Sequence, residues 1–456
     1  MSASPSPALP RAFAGSVGLL LGLSLLKFGN PVVLNHLVKP PDTILEWIFQ
    51  AWPTTWFAPC LACVALLGIS VVKWKWPAPR WLPALPLIWL GWQFVAATQT
   101  VDPKLTQMTL VHFVSIIVIF FVGVFSLAEV ELSGWFWAGL LACFLFMVWT
   151  GFEQHYGGLE ATRKMVLSQP GWEKLGPDHL KRLASNRIFA TLLYPNTLAG
   201  IILLVLPPLA FAVWRMTGEF RPVTRGAAVG LLLWSGVCCL IWSGSKAGWL
   251  IALIQLVILA LRCPLPRSTR WAISLIVIAG GLAGFFGRFS GYLEKGATSV
   301  SARRDYWNAA VQTVRERPIF GAGPGTFSVT YARIKPPDAE MARLTHNDYL
   351  EQASDSGIFG FLTFTGFILG SLVVLGKGCW HDQARFSVWL GLLAWAVQSS
   401  VEFGLYIPAV SATAFCFLGW LWGNHQNQPA GNVDIVGKAP HQTQRAPRVQ
   451  EKAAAG

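Results

Sequence analysis

Charge is scarce in this chain. Asp, Glu, Lys and Arg make up only 12% of its 456 residues, where a soluble protein carries about 25%. That scarcity excludes an ordinary water-soluble globule. Cysteine occurs eight times but forms no framework. Cys60, Cys63, Cys143, Cys238, Cys239 and Cys416 lie inside apolar runs, which reads as small-residue packing and excludes a disulfide scaffold or a zinc site. Asp-x-Asp pairs are absent, and no His, Asp and Glu cluster has metal-ligand spacing, so no metal and no other cofactor is expected. A cleavable signal is not evident. The first apolar run, flanked by Arg11 and followed by further ones, reads as a signal anchor.

What the chain has instead is apolar length. Hydrophobic residues reach 54%, and 23 tryptophans fit the enrichment of Trp at membrane interfaces. Many apolar runs approach the roughly 17–25 residues that cross a bilayer. An all-α, polytopic integral membrane protein of about twelve transmembrane helices is expected. Their approximate cores are 12–29, 55–72, 82–97, 108–127, 135–152, 192–214, 226–242, 247–261, 271–286, 358–375, 386–401 and 407–422. The chain divides into N-terminal spans (1–153), a first long loop (154–187), central spans (188–288), a second long loop (289–357), C-terminal spans (358–423) and a polar tail (424–456).

The formal charge is +13. Its basic residues are not gathered in one domain, so no nucleic-acid partner is expected. They sit in short loops: Lys73, Lys75 and Arg80; Arg215, Arg221 and Arg225; Arg262, Arg267 and Arg270; Lys377 and Arg385. The positive-inside rule puts these loops in the cytoplasm together with both termini. The tail then reads as disordered and cytoplasmic, and the two long loops face the periplasm.

Arginines on that outer face are not explained by topology. Arg187 stands before Tyr194-Pro195-Asn196, at the mouth of the sixth span. It is either an interfacial snorkelling residue or a fixed cation for an anionic headgroup. Asn196, read as lying deeper in the span, is either packing glue or site lining. In the turn Ser243-Gly244-Ser245-Lys246, Ser245 can cap the next helix and Lys246 adds a cation at its anion-favouring end. A plain helix hairpin is the alternative.

The stretch 301–357 is the longest polar interval between apolar spans. Residues 301–317 read as a helix, with Ala302, Tyr306, Ala309, Ala310, Thr313 and Val314 at helical spacing. Arg303 and Arg304 are expected in its first turn, where guanidinium forks match phosphate oxygens. A helix lying on acidic headgroups is the alternative. Pro318 ends the helix, and Gly321-Ala322-Gly323-Pro324-Gly325 turns the chain. Thr345 and Asp348 fit a capping box that places His346 at the first helical position. The positive end of a helix disfavours imidazolium, so the histidine reads as base-competent; a structural histidine is the alternative. Glu402, after the eleventh span, can orient His346 or an arginine, or be a solvated loop acid.

These residues resemble the bacterial O-antigen ligase and polymerase superfamily. Arg187 precedes Pro195, Asn196, Ala199 and Gly200. Arg303, Trp307, Pro318, Gly321, Gly323, Gly325 and Phe327 form a second element. His346, Asn347, Tyr349 and Leu350 form a third, and Glu402, Phe403, Leu405 and Pro408 a fourth. Where the family often has Ser-Arg-x-Gly, this chain has Ser245-Lys246-Ala247-Gly248, which leaves point-charge rather than bidentate binding. The resemblance covers roughly 187–408. It implies a GT-C-like transferase of the inner membrane whose donor is a glycan on undecaprenyl diphosphate. Arg187 and Arg303 would hold the diphosphate, and His346 would take the acceptor proton. Lys246, Ser245, Arg304, Asn196, Asn347, Tyr349 and Glu402 would line the substrate site. Inversion without metal is implied.

The acceptor implied is lipid A core for a ligase, a lipid-linked glycan for a polymerase, or a protein hydroxyl for an O-oligosaccharyltransferase. Membrane lipids are the surrounding partner. A transporter or flippase of lipid-linked glycans is the rival from another class, with a structural sensor behind it. A transporter needs ionisable residues near mid-membrane; here His112 is the exception, and charge concentrates at one face.

Overall fold

The computed structural model describes residues 8–130, 134–168, 184–294, 298–337 and 339–425. Among the described residues every regular element is helical. In chain order they are α1 (Ala8–Lys27), α2 (Ile44–Phe49), α3 (Phe57–Ile69), α4 (Leu85–Ala97), α5 (Pro103–Phe125), α6 (Gly134–Glu153), α7 (Leu159–Ser168) and α8 (Pro195–Met216). Then follow α9 (Pro222–Trp242), α10 (Lys246–Arg262), α11 (Arg267–Glu294), α12 (Thr298–Glu316), α13 (Phe327–Ile334), α14 (Asp348–Cys379), α15 (Gln383–Gln398) and α16 (Pro408–His425).

Each of the twelve expected spans falls on one of these helices. Seven of them (α1, α5, α6, α8, α9, α11 and α14) are long and apolar enough to cross a membrane. The other five are shorter or more polar. The result is an all-α, polytopic membrane protein. Of the three segments expected outside the spans, 169–183 in the first long loop, 295–297 and 338 in the second, and 426–456 in the tail lie outside the described residues.

The core is a bundle in which α1 packs on α6, α5 on α16, α15 on α8, and α14 on α4. Residues all round α8 and α16 are buried, as expected of helices surrounded by other helices. By contrast, α11 exposes Leu275, Ile276 and Phe286; these side chains suit a lipid-facing surface.

The interval 301–357 is mostly helix. In α12 the residues Tyr306, Ala309, Ala310 and Thr313 are buried, as the helical spacing predicts. Tyr306, Ala309 and Ala310 form a small separate core with Phe327, Tyr331 and Ala342. This core fixes α12 and α13 as one lid-like unit over the bundle. α14 changes character at a kink at Ser356 and Gly357, where the dihedrals leave the helical range. Before the kink, Asp348, Glu351, Gln352, Ser354 and Asp355 are fully buried. After it the helix is apolar, as the expected span 358–375 has it.

Three expectations about helix starts need correction. α12 begins at Thr298, so Arg303 and Arg304 sit in its second turn. α8 begins at Pro195, whose missing N–H and fixed φ suit a first helical position; Asn196 is therefore in the first turn and not deep in the span. α14 begins at Asp348, and its cap is Asn347, whose Oδ1 accepts from Leu350 N–H. His346 precedes the helix with φ of 53°. The Thr345 hydroxyl donates to Asn347 O and caps nothing.

Candidate active site

Four segments far apart in sequence meet around Glu402. Arg187 comes from the segment before α8. The turn between α9 and α10 supplies Ser243 to Lys246, α12 supplies Arg303, and the residues just before α14 supply His346.

The Arg187 guanidinium is held at both ends. Its Nε donates to Ser243 O at 2.7 Å, and its Nη2 donates to Asn196 Oδ1 at 2.6 Å. Gly244 makes the first contact possible. Its φ is 60°, and a Cβ there would lie 3.2 Å from Arg187 Nε. Upstream, Gln154 Oε1 accepts from Phe189 and Ala190 N–H, and its Nε2 donates to Ala190 O. Gln154 thus anchors the segment that carries Arg187. It stands at the end of α6 with no motif around it, so the sequence offered no signal for it.

Glu402 is the hub. Its Oε1 accepts from Asn196 Nδ2 at 2.6 Å and from Arg303 Nη2 at 2.6 Å. Its Oε2 lies 3.2 Å from His346 Nδ1. The residue is 5% exposed. Burial pushes its carboxyl pKa up, but the His346 hydrogen bond and charge, with Arg303 and Asn196 behind them, outweigh this and hold it below the ordinary glutamate value. Arg187 is pulled below the usual arginine value, chiefly by burial; the Glu402 charge opposes this and Arg303 adds to it.

His346 is packed between aromatic rings. The Tyr306 ring stacks on it at 5.8 Å, and Phe403 meets it edge-on at 4.6 Å. A neutral ring that donates Nδ1–H to Glu402 leaves Nε2 as a proton acceptor, the division of labour of a carboxylate–histidine pair. The base reading thus loses its helix-terminus support and gains a carboxylate partner.

Lys246 opens α10, which Ser245 caps through its hydroxyl to Gly248 N–H at 3.1 Å. Its ammonium lies 3.8 Å from the Tyr292 ring centroid and 5.3 Å from that of Phe289. Arg303 and Arg304 separate cleanly: Arg303 faces Glu402, whereas Arg304 is exposed. Two residues of the His-Asn-x-Tyr-Leu motif serve the scaffold. Asn347 caps α14, and Tyr349 donates its hydroxyl to Ala396 O at 2.9 Å.

The first two turns of α14 staple three site loops. Glu351 Oε2 accepts from Thr345 N–H, Asp348 Oδ2 from Leu405 N–H, and Asp355 Oδ2 from Gly325 N–H and the Tyr406 hydroxyl. Gly325 has φ of 76°, and a Cβ there would run into Thr109. Burial, then the Asp355 and Glu351 charges, push the Tyr406 phenol well above its usual value, so it stays a donor. The spacing of Asp348, Glu351 and Asp355 on one helix face was available in the sequence.

Fold and site together define a polytopic membrane protein with guanidinium groups, a histidine and a carboxylate gathered at one end of its bundle. Comparison with known proteins agrees with the motifs. Residues 230–365 match the family model described as O-antigen ligase, in line with the family that the motifs resemble. The match takes in Lys246, Arg303, the glycine turn and His346; Arg187, Asn196 and Glu402 lie beyond its ends. An uncharacterised protein of Haemophilus influenzae is 37% identical over 87 residues, covering 17% of this chain and 21% of that protein. The chain thus spans about a fifth of the length of that relative.

Proposed function

We propose that this protein moves a glycan from an undecaprenyl-diphosphate carrier to an acceptor hydroxyl, on the periplasmic side of the bacterial inner membrane, in cell-surface polysaccharide synthesis. The observation that carries this reading is the convergence of Arg303 and His346 on one buried carboxylate, to which Arg187 is linked through Asn196. The acceptor oxygen attacks the anomeric carbon as its proton passes to His346 Nε2. The bond from that carbon to the diphosphate oxygen breaks with its electron pair, and the sugar carbon inverts. Arg187 and Arg303 stabilise the charge that develops on the leaving diphosphate, with Lys246 as a further point charge. A positioned base contributes about 10²–10⁴-fold. The cations of the site are side chains, so the reaction is proposed to run without a divalent ion. We favour lipid A core as acceptor, with polymerase and protein-glycosylating activities as the alternatives.

The test is glycan transfer in reconstituted vesicles with a diphosphate-linked donor and excess chelator, wild type beside His346→Ala. Transfer that survives chelation and collapses in the variant supports the reading. An unchanged variant removes His346 from the chemistry. Donor crossing the bilayer with no transfer to any acceptor points to a flippase.

A further inference from the structure

Beside Glu402 the first two turns of α8, the end of α15 and the start of α16 line a cavity of about 20 Å³. Its walls include Thr197, Gly200, Trp395, Gln398, Ser399 and Glu402. One water needs roughly 10–15 Å³ and two to four polar partners. Trp395 and Gln398 are 3% and 5% exposed, and neither Trp395 Nε1 nor Gln398 Oε1 has a partner in the protein. An indole N–H only donates and an amide oxygen only accepts, so a water can satisfy both at once. The N–H makes the wall unsuited to a cation, and the Glu402 charge is already met by Arg303. The other end of Gln398 is engaged in the site: its Nε2 donates to Asn196 O at 2.8 Å, and Asn196 Nδ2 donates to Glu402 Oε1 at 2.6 Å.

We propose that this cavity binds one structural water between Trp395 Nε1–H and Gln398 Oε1, and that Trp395 and Gln398 are positioning residues for Asn196 and Glu402. The water fixes the Gln398 amide. The amide fixes the start of α8, and the start of α8 presents Asn196 to both Glu402 and Arg187. The effect on turnover rests on the transferase reading; the water site itself does not.

The test is a cryo-electron map of the full chain in lipid nanodiscs at a resolution that shows waters, with glycan transfer measured on the same preparations. A peak within hydrogen-bond distance of both atoms is expected. Trp395→Phe keeps an aromatic ring and removes the indole N–H donor. It should lose the peak and lower kcat roughly tenfold, with the donor KM unchanged. Gly200→Ala is the second variant, because its Cβ would lie 2.8 Å from Gln398 Nε2; it should also lose the peak and lower kcat. A wild-type map without the peak overturns the proposal, as does a peak ringed by oxygens at cation distances. So does a folded Trp395→Phe protein with unchanged kcat. A wild-type peak without transfer to any acceptor upholds the water site and overturns the transferase reading alone.

Discussion

Arg303 Nη2 lies 2.6 Å from Glu402 Oε1, and this contact ties the lid-like α12 to the buried end of the bundle. Losing one partner of a buried pair leaves the other charge uncompensated, at a cost of about 3–5 kcal/mol. Glutamine keeps an acceptor for Asn196, so Glu402→Gln should fall below that range. We expect a lower unfolding midpoint and transfer reduced about 100-fold. Thermal unfolding and vesicle transfer on the same variant read both effects; wild-type behaviour in both would remove Glu402 from its central place.

The acid limb of stability follows from the same carboxyl. Its folded-state pKa lies below the ordinary value. A depressed carboxyl stabilises the fold above its unfolded pKa, and the stabilisation is lost as pH falls through the folded one. The difference in unfolding midpoint between wild type and Glu402→Gln should therefore hold through neutral and mildly acidic pH and shrink only below the ordinary glutamate range. A difference that vanishes near neutrality would contradict a lowered folded-state pKa at Glu402.

Arg303 and Arg304 are neighbours with opposite fates. Arg304 is exposed, and Arg304→Ala should change stability by no more than about 0.5 kcal/mol and leave transfer near wild type. Arg303→Ala should abolish most transfer, and Arg303→Lys should recover little, because an ammonium cannot reproduce the planar fork. Equal losses for the two alanine variants would mean that α12 meets its ligand by another face.

Gly244→Ala forces a β-carbon into a left-handed conformation at a cost of about 1–2 kcal/mol and presses on Arg187. If Arg187 holds the donor diphosphate, the donor KM should rise several-fold more than kcat falls. Steady-state kinetics with varied donor separates the two. An unchanged KM would leave Arg187 as a scaffold residue.

Much of this was legible in the sequence, because membrane helices announce themselves by apolar length and α12 by its buried stripe. The motif residues Arg187, Asn196, Arg303, His346 and Glu402 do meet. What the sequence hid was which neighbour performs each local task. Thr345, Asn347 and Asp348 all favour helix starts, and only the tertiary bonds of Glu351 to Thr345 N–H and of Asp348 to Leu405 N–H decide that Asn347 is the cap. Gln154 and Gln398 were silent because a glutamine at a helix end has many ordinary uses. Their targets, Ala190 and Asn196, are distant in the chain.

Asn196 and Glu402 are 206 residues apart in the chain. During synthesis, Arg187 and Asn196 emerge with α8 and must wait for five further expected spans plus α12 before their carboxylate arrives. A chain cut short anywhere in that interval holds Arg187 and Asn196 without the acid that Asn196 meets. Assembly order is thus built into the chain: a half-inserted protein cannot close this constellation, which is complete only as the last two helices are made.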